Sequence, residues 1–376
     1  MRFLVLSSYG GWYFQATDLI RFLRKKDVTV DIITYNVNFT YHKIDQEINL
    51  KQYSSASTGI IKKVFNKVCP QYYPWFRFDI LCEISWTLYK SDKYDGILLI
   101  DKGGIGLFEA LPNIFHRKAK LFYWSLELYL NPKSDIFKHQ PYLNSFFRSE
   151  KKALCKINYL LIQDEARRRV FTKIMKFHGS HVDFPVSVVG HGYDLKQSSF
   201  NNSKIYDLIY FGVVRRERGL DFLKDIVSRM DSQISILLHG PCQPGYKKSW
   251  LPYAENITVS NEITMDLDSV VNKGRVGLVW YDSDSINDSL TGSSSEKIAR
   301  YLRLGIPLIY NNDNDSYDLI KKNAAGEYSD GTDLPAVLDK IKSNYEFYSE
   351  NAMKLFNIHY KSERYFNALY NCLLNG

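Results

Sequence analysis

The sequence is poor in the features that mark secreted, membrane-spanning and nucleic-acid-binding chains. It has five cysteines in 376 residues, at 69, 82, 155, 242 and 372, with no CxxC pair. That scatter excludes a disulfide framework and a cysteine-paired zinc site. No apolar run approaches the ~20 residues needed to cross a bilayer. The opening stretch MRFLVLSSYGGWYF has an apolar run of only about five residues and no small-residue cleavage site. It reads as a first strand and not as a signal peptide, and a cytoplasmic location is the expectation. There is no recognised nucleic-acid motif and no concentrated basic arm, so nucleic acid is set aside as a partner.

What is present points to two folded domains. A 376-residue chain that is 45% hydrophobic is too long for one ordinary core. The net charge of +8 is uneven. FHRKAKLF (115–122), FRSEKKALCK (147–156) and EARRRVFTKIMKFHGSH (165–181) hold most of the excess, and such regions attract phosphates. KKVFNKVCPQYYPWFRFD (62–79) mixes basic residues with Phe65, Tyr72, Tyr73, Trp75, Phe76 and Phe78. Two readings of it stand: peripheral contact with an anionic membrane, at the inner face of the plasma membrane, or a solvated loop over a core.

Along the chain, apolar strands alternate with amphipathic helices. RFLVLSS, VTVDIITY, YDGILLID, AKLFYWSLE, NYLLIQD and VSVVGHGYDL read as strands of the first half, with a helix in WYFQATDLIRFLRKK. Polar SSFNNSK (198–204) reads as a linker. The pattern then restarts with YDLIYFG, ISILLHG, ITVS, VGLVWYD and PLIYNN. Buried runs without polar alternation indicate parallel sheets covered on both faces. The expected fold is α/β: two Rossmann-like, doubly wound parallel-sheet domains facing a central cleft. The expected boundaries are 1–195, 196–345, and a C-terminal helix at 346–376 packing back toward the first domain. Phe347, Met353, Phe356, Tyr360, Tyr365, Phe366 and Leu369 are its candidate buried residues.

The stretch GSSSEKIARYLRLGIPLIYNN (292–312) is dense in hydroxyls and positive charge. Ser293 and Glu296 have the spacing of a capping box, Gly305 sits where a left-handed cap belongs, and Pro307 stops the helix. Ser294, Ser295 and Lys297 add donors and a charge to an end that already carries free amides. The segment is either a capped helix with a solvated lysine or a seat for an anion.

Three segments in order resemble the GT-B glycosyltransferases, in particular the retaining family 4 group that includes bacterial surface-polysaccharide enzymes. VVGHGYDL (188–195), IYFGVVRRERGLDFLKDIV (209–227) and VGLVWYDSDS…SSSEKIARYLRLGIPLIY (276–310) carry the resemblance. It implies a C-terminal domain that holds a nucleotide-diphosphate sugar and an N-terminal domain that holds a saccharide or polyprenyl-linked acceptor. Carried over by position, Gly212 would let the backbone approach the diphosphate. Arg215, Arg216 or Arg218 and Lys297 would neutralise it, with Tyr281 and Ser293–Ser295 beside them. Relatives place a glutamate where this chain has Arg300, and their second glutamate falls at Gly292. Glu296 stands as a substitute or as a helix cap, and an arginine suits a negatively charged donor or a different nucleotide.

Asp101 and Glu127, at strand ends of the first half, are the candidate carboxylates for the acceptor hydroxyl. Gly10, Gly11 and His191 are candidate cleft residues. Asp282, Ser283 and Asp284 form a D-x-D triplet, read as a solvated acidic loop or as a metal chelate; no metal ligand and no cofactor beyond the nucleotide sugar is assigned. The expected activity is hexosyl transfer in cell-surface glycan synthesis. A nucleotide-sugar epimerase and a noncatalytic sugar-binding scaffold are the alternatives.

Overall fold

The computed structural model describes residues 1–7, 13–34, 49–52, 94–109, 119–130, 133, 142–185, 204–229, 234–262, 267–281 and 286–375. The segment 62–79, Gly10, Gly11, His191, the strand expected at 186–195, the linker as far as Ser203 and the Asp282–Asp284 triplet lie outside them. The chain forms two compact units. The described residues of the first run to Pro185 and resume at Ser362, and those of the second run from 204 to Lys361.

The first unit holds seven parallel strands: β1 (Arg2–Ser7), β2 (Thr29–Thr34), β3 (Asn49–Gln52), β4 (Gly96–Ile100), β5 (Lys120–Trp124), β6 (Tyr159–Ile162) and β7 (Ser180–Asp183). Their order is β3-β2-β1-β4-β5-β6-β7, so the winding reverses between β1 and β4. The two edge strands, NLKQ and SHVD, are short and polar. Neither carries an apolar signal, as suits an edge that must not pair with another chain.

One face of this sheet is covered by helix Tyr13–Lys25 and helix Ser362–Leu374. Ala16, Leu19, Ile20 and Leu23 of the first and Tyr365, Phe366, Leu369 and Leu373 of the second share a core with Phe3 and Val5. Both sets repeat at helical spacing, and each large side chain contributes about 1.5–3 kcal/mol by burial. A Cβ at Gly96 would lie 2.6 Å from Leu373, so the missing side chain lets the last helix approach β4. The Lys120 ammonium donates to the carbonyls of Cys372 and Leu373 at 2.8 and 2.6 Å, satisfying that helix's C-terminus. Helix Tyr345–Leu355, by contrast, belongs to the second unit. There Phe347 and Met353, read as buried, stand exposed. Their side chains fall on the solvent side of the helix, whereas Tyr348, Ala352 and Leu355 take the core side.

The second unit is a six-stranded parallel sheet: β8 (Tyr206–Phe211), β9 (Ile236–His239), β10 (Ile257–Ser260), β11 (Gly274–Val279), β12 (Leu308–Tyr310) and β13 (Gly326–Tyr328). The order β10-β9-β8-β11-β12-β13 puts its reversal between β8 and β11. Leu208, Tyr210, Ile236, Leu238, Val276 and Leu278 pack on Leu220, Leu223 and Leu338 to form its main core.

Candidate functional site

In open α/β sheets ligands bind at the carboxyl ends of the strands where the winding reverses. In the second unit that point lies between the residues after β8 and those after β11. Gly212 follows β8 with φ +125°, a conformation that excludes ordinary side chains. Its N–H donates to the His239 carbonyl at 2.9 Å. A Cβ there would lie 3.0 Å from Cε of Lys297. Gly240, the corresponding residue after β9, has φ +130°, and a Cβ on it would lie 2.3 Å from the Gly212 carbonyl. Two glycines are therefore needed for the turns to stack.

Lys297 reaches Gly212 because of the residue one turn later. Tyr301 packs its ring where a Cβ on Gly277 of β11 would be, and its hydroxyl donates to the Ile209 carbonyl at 2.7 Å. That contact sets helix Glu296–Arg303 on the sheet. Lys297, four residues earlier on the same helix face, then comes down over the end of β8. Its side chain is half-buried, and its ammonium donates to the Tyr281 hydroxyl at 3.2 Å and lies 4.4 Å from the Tyr281 ring centroid and 5.1 Å from that of Tyr210. Burial holds its pKa below the ordinary lysine value; the positive charge of Arg218 adds to this and nearby Tyr210, Glu296 and Asp288 oppose it. The first backbone N–H groups of this eight-residue helix have no intrahelical acceptor, so the ammonium stands near an end of positive potential.

Tyr281 is itself held. Its N–H donates to Asn311 Oδ1 at 3.1 Å, Asn311 Nδ2 donates to its carbonyl at 2.9 Å, and its hydroxyl lies 2.7 Å from Ser295 Oγ. Burial pushes the phenol up to about 12, so it stays protonated. Asn311 carried no signal in the sequence beyond following an apolar strand.

The serines do something other than cap. Ser295 is the N-cap but makes no side-chain cap bond. Ser293 lies in the 3-10 turn Gly292–Ser294 and donates to the Ser316 carbonyl at 2.8 Å, so the capping box with Glu296 is not formed. Ser294 Oγ donates to the Thr291 carbonyl at 2.6 Å. The competing acceptors were a few residues away or across the fold, where spacing could not reveal them. Gly305 does take the left-handed conformation expected of it, at φ +64°.

The arginines separate. Arg218 donates to Asp288 at 3.1 Å and lies 5.5 Å from the Tyr281 ring centroid, close to the lysine seat. Arg215 is half-buried, and Arg216 is exposed, 3.9 Å from Asp221. Arg300 donates to Asp268 at 2.5 Å and to Glu296 at 2.8 Å, while Arg303 also pairs with Asp268. Arg300 and Glu296 thus form part of a network that ties two helices together. One strand outward from Gly212, a cavity of about 480 Å³ is lined by His239, Ser260, Asn261, Glu262, Lys247 and Lys273 among others.

In the first unit the winding reverses beside Asp101, which follows β4. The residue is buried with φ +49°, a position that costs a non-glycine residue about 1–3 kcal/mol. Its Oδ1 accepts the Glu127 N–H at 3.4 Å. The preceding carbonyl, Leu126, accepts Gln163 Nε2 at 3.0 Å and Arg167 Nη2 at 2.8 Å. The peptide between Leu126 and Glu127 is therefore held on both sides. Beside it the Tyr123 hydroxyl donates to Glu150 at 2.6 Å. Burial pushes the Glu150 carboxyl up to about 8; the bond from Tyr123 opposes this and the charge of Asp101 adds to it. Asp164, the N-cap of helix Glu165–Met175, is likewise pushed up to about 6 by burial.

Glu150 was not singled out in the sequence, though a signal existed. Leu143, Phe146, Glu150 and Ala153 fall on one face of helix Tyr142–Ala153 and all are buried. The run of basic residues around Glu150 drew attention to the solvent face instead.

No protein-family model matches the sequence, and no curated protein matches it. Solved structures do match in fold. A sucrose-phosphate synthase from Thermosynechococcus elongatus superposes with a TM-score of 0.73 at 12% identity, covering 100% of this chain and 99% of that one. Anabaena HepE, solved with UDP and glucose, gives 0.70 at 12% identity over 100% of both chains. WaaG, described as a glycosyltransferase involved in lipopolysaccharide biosynthesis, gives 0.66 at 11% identity over 100% of both. The architecture is the GT-B fold of two Rossmann-like units.

Proposed function

We propose that this chain is a glycosyltransferase that moves a sugar from a nucleotide-diphosphate donor to a saccharide or lipid-linked saccharide acceptor in cell-surface glycan synthesis. The observation that carries the proposal is the half-buried Lys297 ammonium over Gly212, at the winding reversal of the second sheet and near a helix N-terminus. A half-buried cation has lost part of its hydration, and although the two tyrosine rings attract it, an anion beside it would offset that loss further. The UDP complexes of HepE, a protein of the same fold, support a nucleotide diphosphate as that anion.

In this reading the bond from the sugar's anomeric carbon to the diphosphate oxygen breaks and a bond to the acceptor oxygen forms. The acceptor proton passes to a carboxylate, Asp101 or Glu127, and the diphosphate leaves with one more negative charge. Lys297 and the helix amides meet that charge as it develops, which stabilises the transition state more than the ground state. Gly212 gives the phosphates access to backbone, and Arg218, with Arg215 and Arg216 on the same loop, adds positive potential. Tyr281 and Ser295 orient the lysine, whereas Ser293, Ser294, Glu296 and Arg300 shape the turn and helix that carry it. In the first unit Asp101 and Glu127 are assigned to the acceptor hydroxyl. The protein acts on the cytoplasmic side, where nucleotide sugars are made, with acceptors supplied at the membrane.

Thermal shifts with UDP-, GDP-, CMP- and dTDP-sugars test the reading. A donor at a hundred times its Kd raises stability by roughly 2.7 kcal/mol. Lys297→Met is expected to weaken that donor by about 10- to 150-fold, the worth of a charged hydrogen bond of about 1.5–3 kcal/mol. The ligand-free Tm of the variant should equal or exceed that of the parent. Silence across the panel, or a variant that binds as well as the parent, rejects the assignment.

A further inference from the structure

The chain leaves the second unit through an uncommon local structure. Helix Tyr345–Leu355 runs into the π-helical segment Phe356–Tyr360, and Ser362 begins the helix that belongs to the first unit. π-helical turns are rare and recur at functional positions. This one presents Tyr360, fully buried, whose hydroxyl donates to the Ser293 carbonyl at 2.7 Å. Phe356 stacks on it with ring planes 8° apart. Ser293 lies in the turn that delivers the lysine helix, and its hydroxyl is held by the Ser316 carbonyl. At the helix's other end Ser349 donates to the Gly305 carbonyl at 2.7 Å. The stretch before the crossing thus grips helix Glu296–Arg303 at both ends.

We infer that Tyr360 is a positioning residue for Lys297: its hydroxyl fixes the Ser293 carbonyl, and with it the height of the turn from which the ammonium reaches over Gly212. The inference rests on the reading of Lys297 as a diphosphate seat. Ser349 grips the end away from the lysine, so it holds the helix without setting the ammonium. The two contacts come from one stretch of chain but have different consequences.

Calorimetric titration of the full chain with UDP, and in parallel with GDP, separates them. Tyr360→Phe keeps the ring and is expected to weaken nucleotide binding about five- to tenfold, while Ser349→Ala shifts Tm and changes affinity less than about twofold. In a Lys297→Met background Tyr360→Phe should cost less than about twofold, because the interaction it supports is already gone. Ser293→Ala removes the other restraint on the same turn and should reproduce the Tyr360→Phe pattern should that variant fold poorly. Equal losses from Tyr360→Phe with and without Lys297, or no loss at all, overturn the positioning role. If neither nucleotide binds the parent chain, or Lys297→Met binds normally, the diphosphate seat itself is wrong, and the inference falls with it.

Discussion

The two units solve one architectural problem with opposite charge. Each is a parallel sheet whose winding reverses near its centre, and each gathers buried or half-buried ionisable groups at the carboxyl ends there. In the first unit three of these are acids, Asp101 in a left-handed backbone, Glu150 bonded to Tyr123, and Asp164 one strand further out, with the buried Arg167 guanidinium among them. In the second the centre is a cation, Lys297, among tyrosines over two glycine turns. Burial moves the groups in opposite senses, the Glu150 and Asp164 carboxyls up and the lysine down, since in both cases it penalises the charged form. The same fold therefore leaves one unit with two carboxyls that hold their protons more tightly and the other with a lysine that holds its proton less tightly.

Three changes would break or sharpen this comparison. The largest effect is expected from Gly240→Ala. Its backbone has φ +130° and the new methyl would lie 2.3 Å from the Gly212 carbonyl, so the second unit should lose at least about 3 kcal/mol in urea unfolding. A variant as stable as the parent would show that the paired glycine turns are not needed.

The first unit should instead respond to pH. Glu150 binds its proton more tightly when folded, with a value of about 8 against 4.5 for the ordinary group. Its contribution is full below about 4.5 and is lost as pH rises through about 8, because over that window the unfolded chain binds fewer protons. Glu150→Gln should gain on the parent steadily between pH 5 and pH 8 in urea melts. Parallel profiles would mean that the carboxyl titrates normally.

Arg300→Ala should have the smallest effect. It removes the bonds to Asp268 and Glu296, costing about 0.5–1.5 kcal/mol of stability for partly exposed charges, with UDP affinity changed less than about twofold. A tenfold loss of UDP affinity would place Arg300 on the donor.

Much of this architecture was legible locally. RFLVLS, GILLI and YDLIYF are apolar runs that only a sheet covered on both faces can bury, and the 16, 19, 20, 23 spacing in the first helix had to face a core. Strands β3, β7 and β13 were missed because edge strands need little apolar content. Lys297 stood out as a cation near a marked helix start, yet the capping box suggested beside it was not formed, since Ser293 found a carbonyl across the fold.

The sequence by itself determined two doubly wound α/β units, because hydrophobic period and glycine conformation act over a few neighbouring residues; for the charge of Lys297 it left a solvated end and an anion seat both open. Which groups that charge meets was decided by tertiary structure alone. Tyr123 and Glu150 are 27 residues apart, Lys297 and Tyr281 are 16, and Tyr360 and Ser293 are 67. Such pairings depend on where strands end and helices land, and on water being excluded between them, conditions that come into being only when the chain has packed.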